Sequence, residues 1–186
     1  MKRTLLVILL LLSPFVHHAQ TQNTEVRHTA FDPGDNIIGI AAGVQPARAY
    51  EGATYSAAFI LTFDHLTINT LGPGALAAGV ELGIYDGRHT NFPNDSWSKT
   101  GIAARVSYHL ALLFNNRFDP YAGAALGLYS APQPENEWPY HTDRYKSNAF
   151  LAPFIGARFN FTRHMGIWVE GGYDITNLKA GINFNF

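Results

Sequence analysis

From Asn36 onward, hydrophobic residues recur at every second position in short runs separated by Gly, Pro, Asn, Asp and Ser. A period of two is the mark of a β-strand, whose successive side chains point to opposite faces. In 74–86, Leu76, Ala78, Val80, Leu82 and Ile84 share one phase, while Ala77, Gly79, Glu81, Gly83 and Tyr85 share the other. In 99–113, Ile102, Ala104, Val106, Tyr108, Leu110 and Leu112 alternate with Ala103, Arg105, Ser107, His109 and Ala111. The run 165–175 sets Ile167, Val169 and Tyr173 against Trp168, Glu170 and Gly172. The last, 177–186, sets Leu178, Ala180, Ile182, Phe184 and Phe186 against Lys179, Gly181, Asn183 and Asn185. With 36–46, 55–65, 119–131 and 148–161, the pattern predicts eight strands. Each is close to the roughly 9–11 tilted residues that cross a bilayer, or a little longer. No run from Asn36 on has helical periodicity, so the expected class is all-β.

The second phase decides between a soluble and a membrane β protein. In a soluble sandwich or lipocalin-like barrel it faces water and is rich in Lys, Glu and Thr. Here it is mostly Gly, Ala, Ser and Asn with isolated charges. The whole chain is 15% charged and 47% hydrophobic, against about 25% charged in an ordinary soluble domain. Small residues and single charges suit a narrow interior, and the Leu/Ile/Val/Phe phase suits lipid. A sheet in hydrocarbon cannot leave an edge unpaired, so the strands must close. The expected fold is an eight-stranded antiparallel up-and-down transmembrane β-barrel over residues 36–186.

The first residues read as an address. Lys2 and Arg3 precede an apolar stretch from Thr4 to Val16, and Ala19 is a small residue suited to cleavage. That stretch is too short for a spanning helix, so 1–19 is expected to be a cleaved signal peptide. Residues 20–35 lack strand periodicity and read as a periplasmic lead-in. The chain has no cysteine, which excludes disulfides, thiol catalysis and a lipoprotein anchor. Its formal charge of −1 without a basic cluster excludes nucleic acid as a partner. Long polar connections (Pro46–Thr54, Gly87–Ser98, Pro132–Ser147) alternate with short ones (Asn115–Phe118, Thr162–His164). Outer-membrane barrels put long loops outside and short turns in the periplasm, so both termini are expected on the periplasmic side. Two connections depart from the rule, the longish turn at Leu66–Pro73 and the very short outer loop at Asp174–Asn177. Aromatics near the strand ends are expected to form two interface girdles: Tyr50, Tyr55, Tyr85, Tyr129 and Tyr173 outside; Phe63, Phe114, Phe118, Tyr121, Phe159, Phe161 and Phe186 inside.

The run Asn115-Asn116-Arg117-Phe118-Asp119-Pro120-Tyr121-Ala122-Gly123-Ala124-Ala125-Leu126-Gly127 resembles the turn-and-strand signature of small Bacteroidota-type outer-membrane β-barrel proteins. So does the tail from Met165 to Phe186. In size the chain is similar to the OmpA/OmpX type, whose members serve as scaffolds, adhesins and defence proteins. A terminal Phe186 with Phe184 before it resembles the signal read by the barrel assembly machinery. The resemblance implies insertion in the outer membrane and carries no catalytic residues to transfer.

Within that frame the interior phase collects Glu81, Arg105, His109, Arg158, Glu170 and Lys179. Charges in so narrow a space must pair, and the expectation is one network that fills the lumen. The alternatives are a narrow small-solute pore and a lipid-modifying enzyme. Ser107 and His109 lie two apart on one strand and could form a nucleophile–base pair, but both are expected to face away from lipid acyl chains. The histidines are scattered singly, so neither metal nor cofactor is expected. The third outer loop carries Trp138, Tyr140 and Tyr145 among mixed charges, the composition of a contact surface for an extracellular ligand or host surface. The sequence therefore points to a non-enzymatic, monomeric protein of surface/scaffold or adhesion type, with membrane lipid and the assembly machinery as partners.

Overall fold

A computed structural model of the chain describes residues 34–46, 53–68, 74–90, 96–110, 117–132 and 145–186. The signal segment and residues 20–33 of the lead-in lie outside the described residues. Nine β segments follow one another: β1 (Asn36–Pro46), β2 (Ala53–Tyr55), β3 (Ala58–Ile68), β4 (Gly74–His89), β5 (Ser96–Leu110), β6 (Phe118–Pro132), β7 (Tyr145–Asn160), β8 (Met165–Gly172) and β9 (Thr176–Asn185). There is no helix among the described residues. β2 and β3 are one stave broken by a bulge. Tyr55 pairs with Gly87 and Phe59 with Ile84, so four steps on one side match three on the other. The Ser56 N–H donates to the Asp86 carbonyl at 2.8 Å, and the Asp86 N–H donates to Ser56 Oγ at 3.0 Å. The bulge thus keeps its polar groups paired.

Each stave runs antiparallel to the next, and β1 pairs with β9, so the sheet closes into an eight-stranded barrel. The strand phases sort the residues without exception along β5. Trp97, Lys99, Gly101, Ala103, Arg105, Ser107 and His109 are buried inside, while the residues between them face out. The polarity is the reverse of a soluble protein. Leu151 is 73% exposed and Ile155 68%, whereas Arg105 is 2% exposed and Glu170 0%. An apolar outer wall over a charged interior has lipid rather than water as its natural solvent.

The structure departs from the sequence reading at strand ends, at one turn and in the aromatic girdles. The β4–β5 hairpin is longer, running out to His89 and back from Ser96. β8 ends at Gly172 rather than 175, because Tyr173–Ile175 turns and sends Asp174 and Ile175 inward. Asp174 Oδ1 accepts a hydrogen bond from the Thr176 N–H (3.3 Å), which fixes that turn. The girdle assignment also needs correction, since Tyr85 and Tyr121 are buried in the lumen and Tyr55 and Tyr129 pack against its core. Tyr85 and Tyr121 share a phase with Glu81 and Asp119, and a barrel this narrow is filled by its own side chains. Tyr173, Phe118, Phe159, Phe161 and Phe186 do stand on the outer wall.

Close approach across the lumen requires small residues opposite large ones. A Cβ on Gly39 would run into Thr62 Oγ1 and the indole of Trp168. A Cβ on Gly83 or Gly101 would collide with Ile175. Ile175 thus seats in a notch between β4 and β5, at the end of the barrel away from the termini.

Candidate functional site

Arg105 of β5 stands at the centre of the lumen. Its Nη1 donates to Glu81 Oε2 of β4 at 2.8 Å and its Nη2 to Glu170 Oε2 of β8 at 2.5 Å. Its Nε lies 3.2 Å from Asp64 Oδ1 of β3. The guanidinium also packs over the Phe154 ring, 4.3 Å from its centroid. Lys179 of β9 makes a second hub. Its ammonium is 2.6 Å from both Glu81 oxygens, 2.9 Å from Glu170 Oε1 and 2.8 Å from Asp174 Oδ2. Arg158 of β7 donates to Asp64 Oδ2 at 2.5 Å, lies 3.9 Å from Asp119 Oδ2 of β6, and covers the Tyr121 ring. The Tyr121 hydroxyl donates to Glu170 Oε2 at 3.0 Å. Seven of the eight staves are therefore tied through ion pairs, and β1 contributes none of the charges.

The six interior residues named from the sequence all have buried side chains, and five of them meet in this cluster. The sequence reading missed Asp64, Asp119, Asp174 and Lys99. Asp64 shares a phase with Ile60, Thr62 and Leu66, opposite the outward Phe59, Leu61 and Phe63, so its place was readable. Lys99 sits six residues before Arg105 on the same strand and was equally readable. Asp174 belongs to the inward turn, for which no alternation exists. Counting these, five buried carboxylates face four buried cations among the described residues, Lys99, Arg105, Arg158 and Lys179. A nearly neutral interior suits cross-barrel struts better than an ion path, which needs a field of one sign.

The sixth residue, His109, forms a separate line. Ser107 Oγ is 2.9 Å from His109 Nε2, and His109 Nδ1 is 2.8 Å from Asp119 Oδ2. The imidazole stacks on Tyr121, with centroids 5.1 Å apart. The spacing is that of a nucleophile, base and orienting carboxylate. Ser107, however, is only 2% exposed, and its neighbours across the ladder are Ala77 and Gly123 of the interior.

Carboxylate oxygens of Glu81, Glu170 and Asp174 converge within 4.8 Å of one another, the spacing of a cation site. The ammonium of Lys179 already occupies that position and answers their charge. Toward the far end, Lys99 lies over Tyr129 (4.2 Å) and beside Tyr85 (5.6 Å). With Asp174 and Ile175 they line a recess with room for little more than a water molecule. Trp138 and Tyr140 fall outside the described residues, and only the backbone of Tyr145 is described, as the first residue of β7. Phe184 and Phe186 end the outward phase of β9. Phe186 exchanges two backbone hydrogen bonds with Asn36, at 2.8 and 3.0 Å, which finish the β1–β9 seam.

No family model and no curated protein matches the sequence. Solved structures do match over most of the chain. Neisserial surface protein A is similar at TM-score 0.52 and 16% identity, over 82% of this chain and 97% of that one. Ail, the attachment invasion locus protein of Yersinia pestis, solved with the heparin analogue sucrose octasulfate, is similar at 0.51 and 13%, over 83% and 100%. The outer membrane protein OprG of Pseudomonas aeruginosa is similar at 0.50 and 14%, over 87% and 99%. What the chain shares with these proteins is the fold, a closed eight-stranded antiparallel β-barrel.

Proposed function

We propose that the chain is an integral outer-membrane protein of surface or scaffold type, with a lumen locked by its own side chains and adhesion carried by its outer loops. The observation that carries this reading is the inverted polarity of the wall, with Leu151 and Ile155 exposed and Arg105 and Glu170 sealed inside. The solved barrels support the location, as outer-membrane and surface proteins of the same fold. The Asn115–Gly127 run and the Met165–Phe186 tail support a Bacteroidota-type origin, the leader supports signal cleavage near Ala19, and the closed interior suits a monomer. On this reading the termini and the turns 69–73, 111–117 and 161–164 face the periplasm, and the assembly machinery reads Phe184 and Phe186. The ionic cluster and Ile175 fill the lumen, which favours a plug over a solute pore. The adhesion role draws on Ail, which binds a heparin analogue, and on the aromatic third loop.

The test is direct. Full-length protein expressed in a Gram-negative host should fractionate with the outer membrane and migrate differently in detergent gels before and after boiling. Expressing cells should adhere to matrix-coated surfaces, and replacing Trp138, Tyr140 and Tyr145 by Ala should remove adhesion while leaving the gel shift. Soluble periplasmic protein with no heat shift would overturn the membrane assignment, and unchanged adhesion would overturn the role of the loop.

One observation favours a second reading. The Ser107–His109–Asp119 line supports an acyl-transfer enzyme of the membrane, provided that Ser107 becomes accessible. A fluorophosphonate probe that labels the folded barrel, but not its Ser107→Ala variant, would replace the scaffold reading with this one.

A further inference from the structure

The rim beside the termini is chemically lopsided. Its turns 69–73, 111–117 and 161–164 contain Arg117, Arg163 and His164 and no Asp or Glu, while Glu25 and Asp32 of the lead-in, with Arg27, lie outside the described residues. The connections 47–52, 91–95 and 133–144 at the other end carry five acids against Arg48 and Arg144. Within the basic rim the arginines are confined to one side. The β3–β4 turn has no charge, and Asp35 lies across the barrel, its carbonyl accepting from the Leu66 N–H of β3.

On the basic side, Phe118 of β6 pairs with Phe159 of β7, and the Asn160 N–H donates to the Arg117 carbonyl at 2.7 Å. The Thr162 N–H donates to the Met165 carbonyl at 3.1 Å, which makes the next turn tight, with Arg163 inside it. Two exposed arginines therefore stand on neighbouring turns directly below three exposed phenylalanines, Phe118, Phe159 and Phe161. Among the described residues neither guanidinium enters an ion pair, in contrast to the interior Arg105 and Arg158. A guanidinium fork matches the oxygens of a phosphate, and an aromatic face beside it matches an acyl chain.

We propose that this rim binds an anionic diacyl phospholipid, with its phosphate between Arg117 and Arg163 and its chains along Phe118, Phe159 and Phe161. The proposal rests on the membrane-barrel reading above. It goes further by giving the barrel one lipid-selective side at the level of the inner-leaflet headgroups. A cation held at a lipid surface by charge alone gains about fivefold in affinity per residue, so two should give roughly twentyfold or more.

The experiment uses the full chain, refolded in detergent and checked by its heat-dependent gel shift, with lipid adducts counted by native mass spectrometry. Phosphatidylglycerol and phosphatidylcholine of matched chains are the probes. Wild-type protein should retain phosphatidylglycerol in large preference, and R117Q/R163Q should retain both lipids alike. The charge-conserving R117K/R163K should keep part of the preference, and R88Q, at the other end of β4, should keep all of it. Equal retention of the two lipids by wild-type protein overturns the proposal, as does an unchanged preference in R117Q/R163Q or an equal loss in R88Q. A missing heat shift overturns the membrane reading itself and this proposal with it, whereas a normal heat shift without lipid preference overturns this proposal alone.

Discussion

Arg105 is the residue on which the interior turns, because three carboxylates from three different staves converge on one guanidinium. Removing it leaves Asp64 with Arg158, and Glu81 and Glu170 with Lys179, as their remaining cations where water is scarce. Breaking a buried ion pair typically costs about 3–5 kcal/mol, while an exposed surface change usually stays within about 0.5 kcal/mol. Arg105→Ala is therefore expected to lower the denaturation midpoint of the refolded barrel far more than Arg88→Ala, which removes an exposed cation. Adding Glu170→Gln to Arg105→Ala should cost less than Glu170→Gln alone, since one orphaned charge has gone. Strictly additive losses would show that the residues act independently. Much of this constellation follows from parity: Glu81, Arg105, Arg158, Glu170 and Lys179 each lie opposite the lipid phase of their strand. Parity alone says which face a residue takes, and nothing about its partner. The convergence of Arg105 on three staves, and the line from Ser107 through His109 to Asp119, depend on strand order and on how far each stave is shifted against the next.

At the scale of elements, the eight staves are readable from the period of two, and the breaks in regularity are not. The bulge at Ser56–Ala57 falls inside the run 55–65, where a single serine interrupts nothing in the pattern, and what holds it is the pairing of Ser56 with Asp86. The short β8–β9 connection looks like an ordinary hairpin, yet it sends Asp174 to Lys179 and Ile175 into the notch made by Gly83 and Gly101. That notch permits a sharp test. A β-branched side chain at position 83 would meet Ile175 Cγ2 and Ile60 Cδ1, and such overpacking typically costs about 1–3 kcal/mol. Gly83→Val should lower the unfolding midpoint accordingly, and Ile175→Ala in the same chain should restore part of the loss. If Ile175→Ala adds its own loss in full, Ile175 does not fill the notch.

The whole molecule is a ring, and its closure depends on the last residues. Phe186 supplies two backbone hydrogen bonds to Asn36 at the seam and an exposed ring on the outer wall. A stability role and a recognition role for Phe186 make different predictions. Chain lacking Phe186 should refold in detergent with a yield near wild type, because the lost bonds are worth only about 0.5–1.5 kcal/mol each. If Phe186 carries the recognition role proposed above, the heat-shifted, membrane-inserted fraction in cells should fall severely. Equal losses in both settings would reduce Phe186 to a structural residue.

Lys179 and Glu81 stand 98 residues apart in the chain, and Arg158 and Asp64 stand 94 apart. Contacts of such separation form late, after the chain between them has been laid down. Without β9, Glu81 and Glu170 lose Lys179 and keep Arg105 as their remaining cation among the described residues, and β1 has no stave to close on. The final strand thus delivers the counter-ion together with the closing edge. A chain that lacks β9 therefore lacks the charge balance of the lumen and the seam of the wall at once.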